Sequence, residues 1–277
     1  MIYSDMIKLA VFDIDGTLTR DGSVKPSDYT IDVLNKINEK GIKLGIASGR
    51  DVLQLKQIVN EWDLPFSFSL LIGLNGSEYY DLDKNDIKHL YELSSEDVKD
   101  ICDKLLGKFP DLNASIYREG KRYLLYEDEM ALSSKKRNKM GNVIVPLEVL
   151  WEKPCGKLMF RVDEETMKKI EPLANQISND RYRACKTQTT MMEFVHAKSN
   201  KGNALKMFCE HNDIDLNDVI AVGDMNNDNE LLLTAGIGVC MKNGAEETKK
   251  CADYITDLTN NQDGCAHFLL DYFSDLF

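Results

Sequence analysis

A strand-then-helix rhythm runs through the first eighty residues, stops, and resumes near residue 190, and this interruption limits the chain to few folds. IKLAVF (7–12) is an apolar run of strand length. SDYTIDVLNKINEKG then sets Ile31, Leu34 and Ile37 at helical spacing, with Gly41 as a stop. IKLGIA (42–47) is a second strand, and a helix from Asp51 to about Glu61 carries Val52, Leu55 and Val59. A third strand near Ser69 to Leu74 ends in the turn signal Asn75-Gly76. Two consecutive βαβ units demand a parallel sheet with right-handed crossovers.

Between the two rhythmic stretches the texture changes. One amphipathic helix, SSEDVKDICDKLLGKF with Ser94 or Ser95 as N-cap, precedes the short strand-like pieces ASIYRE and RYLLYE. A basic run, KKRNK, reads as a solvated loop; KLMFRV, a helix from Glu164 to about Ile177, RYRACK and TMMEFV follow. Strands outnumber helices there, as in a separate α+β unit. The βα alternation then returns with KGNALKMFCEH, DVIAVG, NDNELLLTAG, IGVCM and EETKKCADYIT. The expected class is α/β: a Rossmann-like parallel-sheet core made of residues 1–83 and 190–277, with an α+β cap inserted at 84–189.

Length and charge agree with two folded units. The chain has 277 residues, 43% hydrophobic and 29% charged, which suits a globular protein and excludes disorder. Its 34 basic against 46 acidic residues leave a net charge of −12, so its surface repels phosphate backbones and no nucleic-acid partner is expected. Seven scattered cysteines without a C-x-x-C pair read as reduced core residues. The N-terminus lacks a basic leader with a cleavage site, and no apolar run reaches about 18 residues. The expectation is a cytoplasmic protein, not a membrane one, working as a monomer or small homo-oligomer.

Chemistry gathers in three loops that follow strands: DIDGT after the first, SGR after the second and GDMNND after a later one. Ligands of parallel α/β sheets collect beyond the carboxyl ends of the strands. If those strands are neighbours, Asp13, Asp15, Asp224 and Asp228 converge, and they cannot all ionise there without a cation. An all-oxygen set of this kind favours Mg²⁺, which commonly shares its site with a substrate phosphate. Ser48 and Gly49 at a helix start, Lys201 before a helix, and the Asn227 amide offer contacts for such a phosphate.

In order along the chain, DIDGTL (13–18), SGR (48–50), KGNAL (201–205) and GDMNND (223–228) resemble the four motifs of the haloacid dehalogenase (HAD) superfamily. LNGSEYYD, CADYIT and NNQDGCAHFL further resemble its Cof-type branch, whose cap is inserted between the second and third motifs. In VCMKNG, Cys240 and Gly244 depart from the alanines usual there.

The resemblance implies an Mg²⁺-dependent phosphohydrolase working through an aspartyl-phosphate. By motif position Asp13 is the nucleophile, and Asp15 is the general acid/base, with its carbonyl as a metal ligand. Lys201 offsets charge on the phosphoryl oxygens, and Ile14, Ser48, Gly49 and Asn227 join it in holding the phosphate. Asp224 completes the metal set with Asp13 and Asp15. Gly16 turns the loop and Thr17 steadies it, while Asp228 orients Lys201 or a metal-bound water.

The implied substrate is a small phosphorylated metabolite, such as a sugar phosphate or cofactor phosphate. In the cap, Arg118, Arg122, Lys153, Arg161, Arg181 and Arg183 are candidates for reading its leaving group. The histidines at 89, 196, 211 and 267 show no mutual ligand spacing. Two alternatives share the scaffold: a phosphomutase, which would isomerise a sugar phosphate with little free phosphate, and a non-catalytic binder of phosphorylated ligands, for which a nucleophile is superfluous.

Overall fold

A computed structural model of the chain describes residues 7–132 and 141–276; the KKRNK run lies outside the described residues. Strand β1 (Leu9–Phe12) is buried along its whole length, as an unbroken apolar run inside a parallel sheet must be. Helix α1 (Asp28–Glu39) starts where the Ser27 hydroxyl caps the Thr30 N–H, and stops before Gly41, whose φ of 86° suits glycine. Strand β2 (Lys43–Ala47), helix α2 (Val52–Glu61, capped by Asp51) and strand β3 (Leu70–Gly73) complete the first βαβαβ unit. After β3 the chain turns back through Asn75-Gly76. Strand β4 (Glu78–Asp81) pairs antiparallel with β3, and β5 (Asp86–His89) extends the edge. Neither of these two strands is marked by the periodicity of the sequence.

The second unit begins with helix α3 (Ser95–Leu106), where Ser94 and Asp97 form a reciprocal capping box. Strands β6 (Ala114–Arg118), β7 (Lys121–Leu124), β8 (Asn142–Ile144) and β9 (Leu158–Arg161) follow, then helix α4 (Glu164–Ile177) and strands β10 (Tyr182–Gln188) and β11 (Met191–His196). They form a six-stranded sheet in the order β10-β11-β9-β6-β7-β8. Ala114, Ile116, Leu158, Phe160 and Phe194 turn one face of it to Val98, Ile101 and Leu105 of α3 and Met167, Ile170 and Ala174 of α4. Strand periodicity puts Ser115, Met159 and Glu193 on the opposite face.

The core resumes with helix α5 (Lys201–His211), strand β12 (Val219–Gly223), helix α6 (Asn229–Thr234), strand β13 (Ile237–Cys240), helix α7 (Glu246–Lys250), strand β14 (Tyr254–Ile255) and helix α8 (Gly264–Tyr272). The core sheet runs β14-β13-β12-β1-β2-β3-β4-β5, parallel from β14 to β3. Read from β3 to β14 this is the doubly wound order, reversing between β1 and β12.

The compact units divide at 88/89 and 199/200: Met1–Lys88 with Asn200–Phe277, and His89–Ser199. The second junction falls ten residues after the 189/190 boundary of the sequence reading, because β11 pairs antiparallel with β9 and β10 and so belongs to the cap sheet. The glycine in VCMKNG has a steric reason: a Cβ on residue 244 would lie 2.5 Å from Cys240 Sγ and 2.8 and 2.9 Å from the Met241 and Asp224 carbonyl oxygens, so the turn itself excludes a side chain there.

Candidate active site

Adjacent parallel strands on either side of the reversal end at neighbouring points. Phe12 of β1 lies in register with Val222 of β12, so Asp13 leaves the sheet beside the turn that carries Asp224. The Asp13 N–H still donates to the Val222 carbonyl at 3.0 Å, which holds the start of the acidic loop to the sheet. Lys201 enters from the first turn of α5, whose N-cap is Asn200. The loops that looked separate in the sequence therefore meet at the topological switch point.

Lys201 is completely buried, and its ammonium donates to Asp13 Oδ1 at 2.6 Å and to Asp228 Oδ1 at 2.5 Å. Asp13, Asp224 and Asp228 each present a carboxylate oxygen within 4.8 Å of the others. Burial, together with the Asp228 and Asp224 charges, outweighs Lys201 and pushes Asp13 up to about 8. Asp224 rises to about 7, mainly through burial and next through Asp228, although a hydrogen bond from Thr17 Oγ1 at 3.3 Å opposes the rise. Burial disfavours the Lys201 ammonium, but the Asp13 and Asp228 charges prevail and raise its pKa. When all three buried carboxylates are ionised, one lysine leaves an excess of negative charge, and a hard divalent cation fits that all-oxygen set.

The carboxylates have different attachments. Both oxygens of Asp228 are held: Oδ1 by Lys201, and Oδ2 by the backbone N–H groups of Asp224 and Met225 at 3.0 and 3.1 Å. The Asp15 side chain is 68% exposed and stands outside this group, paired with Arg50. Between the two aspartates of the first loop the backbone turns around the Ile14 carbonyl, which accepts from the N–H groups of Thr17, Leu18 and Thr19 and from the Thr19 hydroxyl. Thr19 thus closes the turn locally, whereas the Thr17 hydroxyl reaches across to Asp224. Gly16 is required twice: its φ is 80°, and a Cβ there would lie 2.4 Å from Asp224 Oδ2.

Ser48 is buried at the end of β2, with its N–H on the Ile72 carbonyl and its carbonyl accepting from Asn75 N–H. Asn75 also receives a hydrogen bond on Oδ1 from Asn227 Nδ2 at 3.2 Å, and a Cβ on Gly49 would come within 3.3 Å of Asn75 Nδ2. This asparagine, in the left-handed region at φ 55°, links the loop of Ser48 and Gly49 to the loop of Asn227. Sequence reasoning treated it only as half of a turn signal; the Asn-Gly pair directly beyond a strand end was the available clue.

Asn243 and Asn260 were also missed. Asn243 Nδ2 donates to the Gly16 carbonyl at 2.8 Å, while Asn260 Nδ2 donates to the Thr19 carbonyl at 3.0 Å and to Asp21. Asn243 of VCMKNG and Asn260 of NNQDG thereby tie down the DIDGT turn and the residues that follow it.

Several cap candidates already have structural partners. Arg122 is buried and donates to the Ala131 carbonyl and Asn142, Arg181 pairs with Asp97 and Asp100, and Arg183 donates to the Ser199 carbonyl. No disulfide joins any of the seven cysteines, and burial pushes the thiols of Cys102, Cys155, Cys209 and Cys240 up to about 12, as for inert core residues. Among the described residues no histidine joins a possible metal cluster, and no helix is long and apolar enough to cross a membrane.

Known proteins are similar to this chain in sequence and in fold. The haloacid dehalogenase-like hydrolase family model matches residues 10–269. The chain is 27% identical over 273 residues to the HMP-PP phosphatase of Yersinia enterocolitica, covering 97% of this chain and 96% of that one. A haloacid dehalogenase-like hydrolase from Bacteroides thetaiotaomicron superposes with a TM-score of 0.83 at 26% identity, covering 98% and 100% of the two chains. The HAD subclass IIB sugar phosphatase BT4131 has the same fold, with a TM-score of 0.75 at 22% identity over 96% of this chain and 99% of the other. The chain belongs to the haloacid dehalogenase-like hydrolases and stands among their phosphatases.

Proposed function

We propose that this enzyme hydrolyses phosphomonoesters of small metabolites, sugar phosphates or cofactor phosphates, by way of a phosphoryl group carried on Asp13, with Mg²⁺ as its metal. One observation carries the reading: Asp13 is a buried carboxylate at a strand end, aligned by a completely buried lysine and backed by two further carboxylates from across the switch point. The names of the HMP-PP phosphatase and the sugar phosphatase support the substrate class.

An Asp13 oxygen attacks phosphorus as the bond to the leaving oxygen breaks, and that oxygen takes its proton from Asp15. Asp15 then accepts a proton from water, whose oxygen displaces Asp13 and releases inorganic phosphate. Lys201 holds Asp13 in line and offsets negative charge on the phosphoryl oxygens, while Asp228 holds Lys201. Ile14 through its backbone, Ser48, Gly49 and Asn227 surround the phosphate. Asp13, the Asp15 carbonyl and Asp224 would hold Mg²⁺, which when bound supplies positive charge beside the transferring group.

Phosphate release from a panel of phosphomonoesters, with Mg²⁺ or with a chelator, tests the reading. Release that needs Mg²⁺ and vanishes in Asp13→Asn is expected. No release from any ester, or full activity in Asp13→Asn, ends it; isomerised sugar phosphate without free phosphate would identify a mutase instead.

A further inference from the structure

Arg50 closes the SGR segment, and its guanidinium lies between the proposed acid/base and the proposed phosphate site. Nη1 donates to Asp15 Oδ2 at 2.5 Å and Nη2 to Asp15 Oδ1 at 3.2 Å, so both oxygens of that carboxylate are engaged. The same Nη1 lies 3.4 Å from Ser48 Oγ, and the Arg50 backbone N–H points at that hydroxyl at 3.4 Å. The base of the side chain is fixed, because the Arg50 carbonyl accepts from Leu74 N–H at 2.8 Å. The guanidinium can therefore swing between two partners while its backbone stays in place.

With both oxygens accepting from Arg50, the Asp15 carboxylate is held in place by the guanidinium. Its partner, however, is a planar fork that fits a phosphoryl group as well as a carboxylate. The pair is partly open to solvent, with side-chain exposures of 30% for Arg50 and 68% for Asp15, and ion pairs in that setting are weakly held. A phosphoryl group beside Ser48 would bring two negative charges to the donor that now serves one.

We propose that Arg50 is an anion-exchange latch: it holds Asp15 in the free enzyme, and an arriving phosphoryl group takes over the guanidinium and so releases Asp15 toward the leaving oxygen. The role of the freed carboxylate rests on the phosphatase reading, but the exchange itself is a binding equilibrium. If Asp15 and phosphate compete for one guanidinium, removing the Asp15 charge must tighten phosphate binding through Arg50.

Calorimetric titration with inorganic phosphate, at fixed Mg²⁺ and ionic strength, is applied to the full-length protein and to Asp15→Asn, Arg50→Met and the double variant. Asp15→Asn is expected to tighten phosphate about 3- to 10-fold when Arg50 is present and less than about twofold in the Arg50→Met background. Arg50→Met alone weakens it about 10-fold, and Arg50→Lys, which keeps the charge but not the fork, falls between; the lysine variant also replaces the methionine one should that fail to fold.

Equal factors for Asp15→Asn in both backgrounds would show that Asp15 acts on phosphate by its charge alone, and overturn the latch. Unchanged phosphate affinity in Arg50→Met would overturn it as well. A wild type that shows this coupling yet releases phosphate from no ester keeps the latch and loses the phosphatase reading; turnover without coupling does the reverse.

Discussion

The core and the cap each bury a lysine against carboxylate, and they do so in opposite ways. In the cap, Lys157 and Glu193 are both almost wholly buried and meet at 2.6 Å, with the Lys157 ammonium also 5.1 Å from the centre of the Tyr117 ring. In the core, Lys201 serves Asp13 and Asp228, and Asp224 completes the group. The cap pair is balanced: Lys157 supplies the charge that Glu193 needs, although Glu193 Oε2 is a buried acceptor without a hydrogen bond. The core group is overcharged. A buried pair that balances can be purely architectural, whereas an imbalance kept in a low-dielectric site calls for something absent from the chain itself, a cation and a ligand.

The largest effect that distinguishes the two regions is on turnover. Asp13→Asn keeps an oxygen for Lys201 but removes the proposed nucleophile, and phosphate release should fall by at least about 10⁴-fold in a steady-state assay. Glu193→Gln should leave the chemical step within roughly tenfold of wild type when measured at saturating substrate. If both variants were equally inactive while folded, the division into a reacting group and a structural pair would collapse.

Next in size is a difference of sign in stability. Removing one partner of a closed buried pair leaves the other charge uncompensated, so Lys157→Met should cost about 3–5 kcal/mol in denaturant unfolding. Replacing both partners by apolar residues, Lys157→Met with Glu193→Leu, should recover most of that loss. Asp13→Asn should act the other way and raise the melting temperature of the metal-free protein at pH 8, because it removes one of the crowded charges. Loss of stability in Asp13→Asn would mean that the core carboxylates are balanced after all.

How much of this was legible in the sequence follows from the same contrast. Asp13, Asp224 and Asp228 could be read because each lies just past an apolar run, and the βα rhythm shows where parallel strands end. Lys157 and Glu193 could not: they are 36 residues apart, and a lysine ahead of an apolar strand has the pattern of a solvated end. Asn75 and Asn227, separated by 152 residues, meet only once the sheet order is known. TMMEFV has the strand pattern of either sheet, so its place in the cap was decided by its partners, β9 and β10, and not by its own residues. The Gly244 departure was visible in VCMKNG, but the approach of the Met241 and Asp224 carbonyls and of Cys240 Sγ that excludes a side chain there is a property of the folded turn.

The smallest expected effect, and the most direct measure of the imbalance, is the response of stability to pH and cation. Asp13 and Asp224 have folded-state values of about 8 and about 7, above the ordinary carboxylate value that each has when unfolded. Between those limits the folded protein binds more protons than the unfolded one, so stability must fall as pH rises. In the presence of chelator the melting temperature should therefore decline between about pH 5 and pH 8, by several degrees if the two carboxylates dominate. Mg²⁺ binds the ionised group and should raise the melting temperature more at pH 8 than at pH 5, where protons already occupy the site. Asp13→Asn should flatten both responses, because the group then starts with one charge fewer; Glu193→Gln should leave both slopes as they are. A metal-free melting temperature that rose between pH 5 and pH 8 would mean that Lys201 compensates its three carboxylates as fully as Lys157 compensates one.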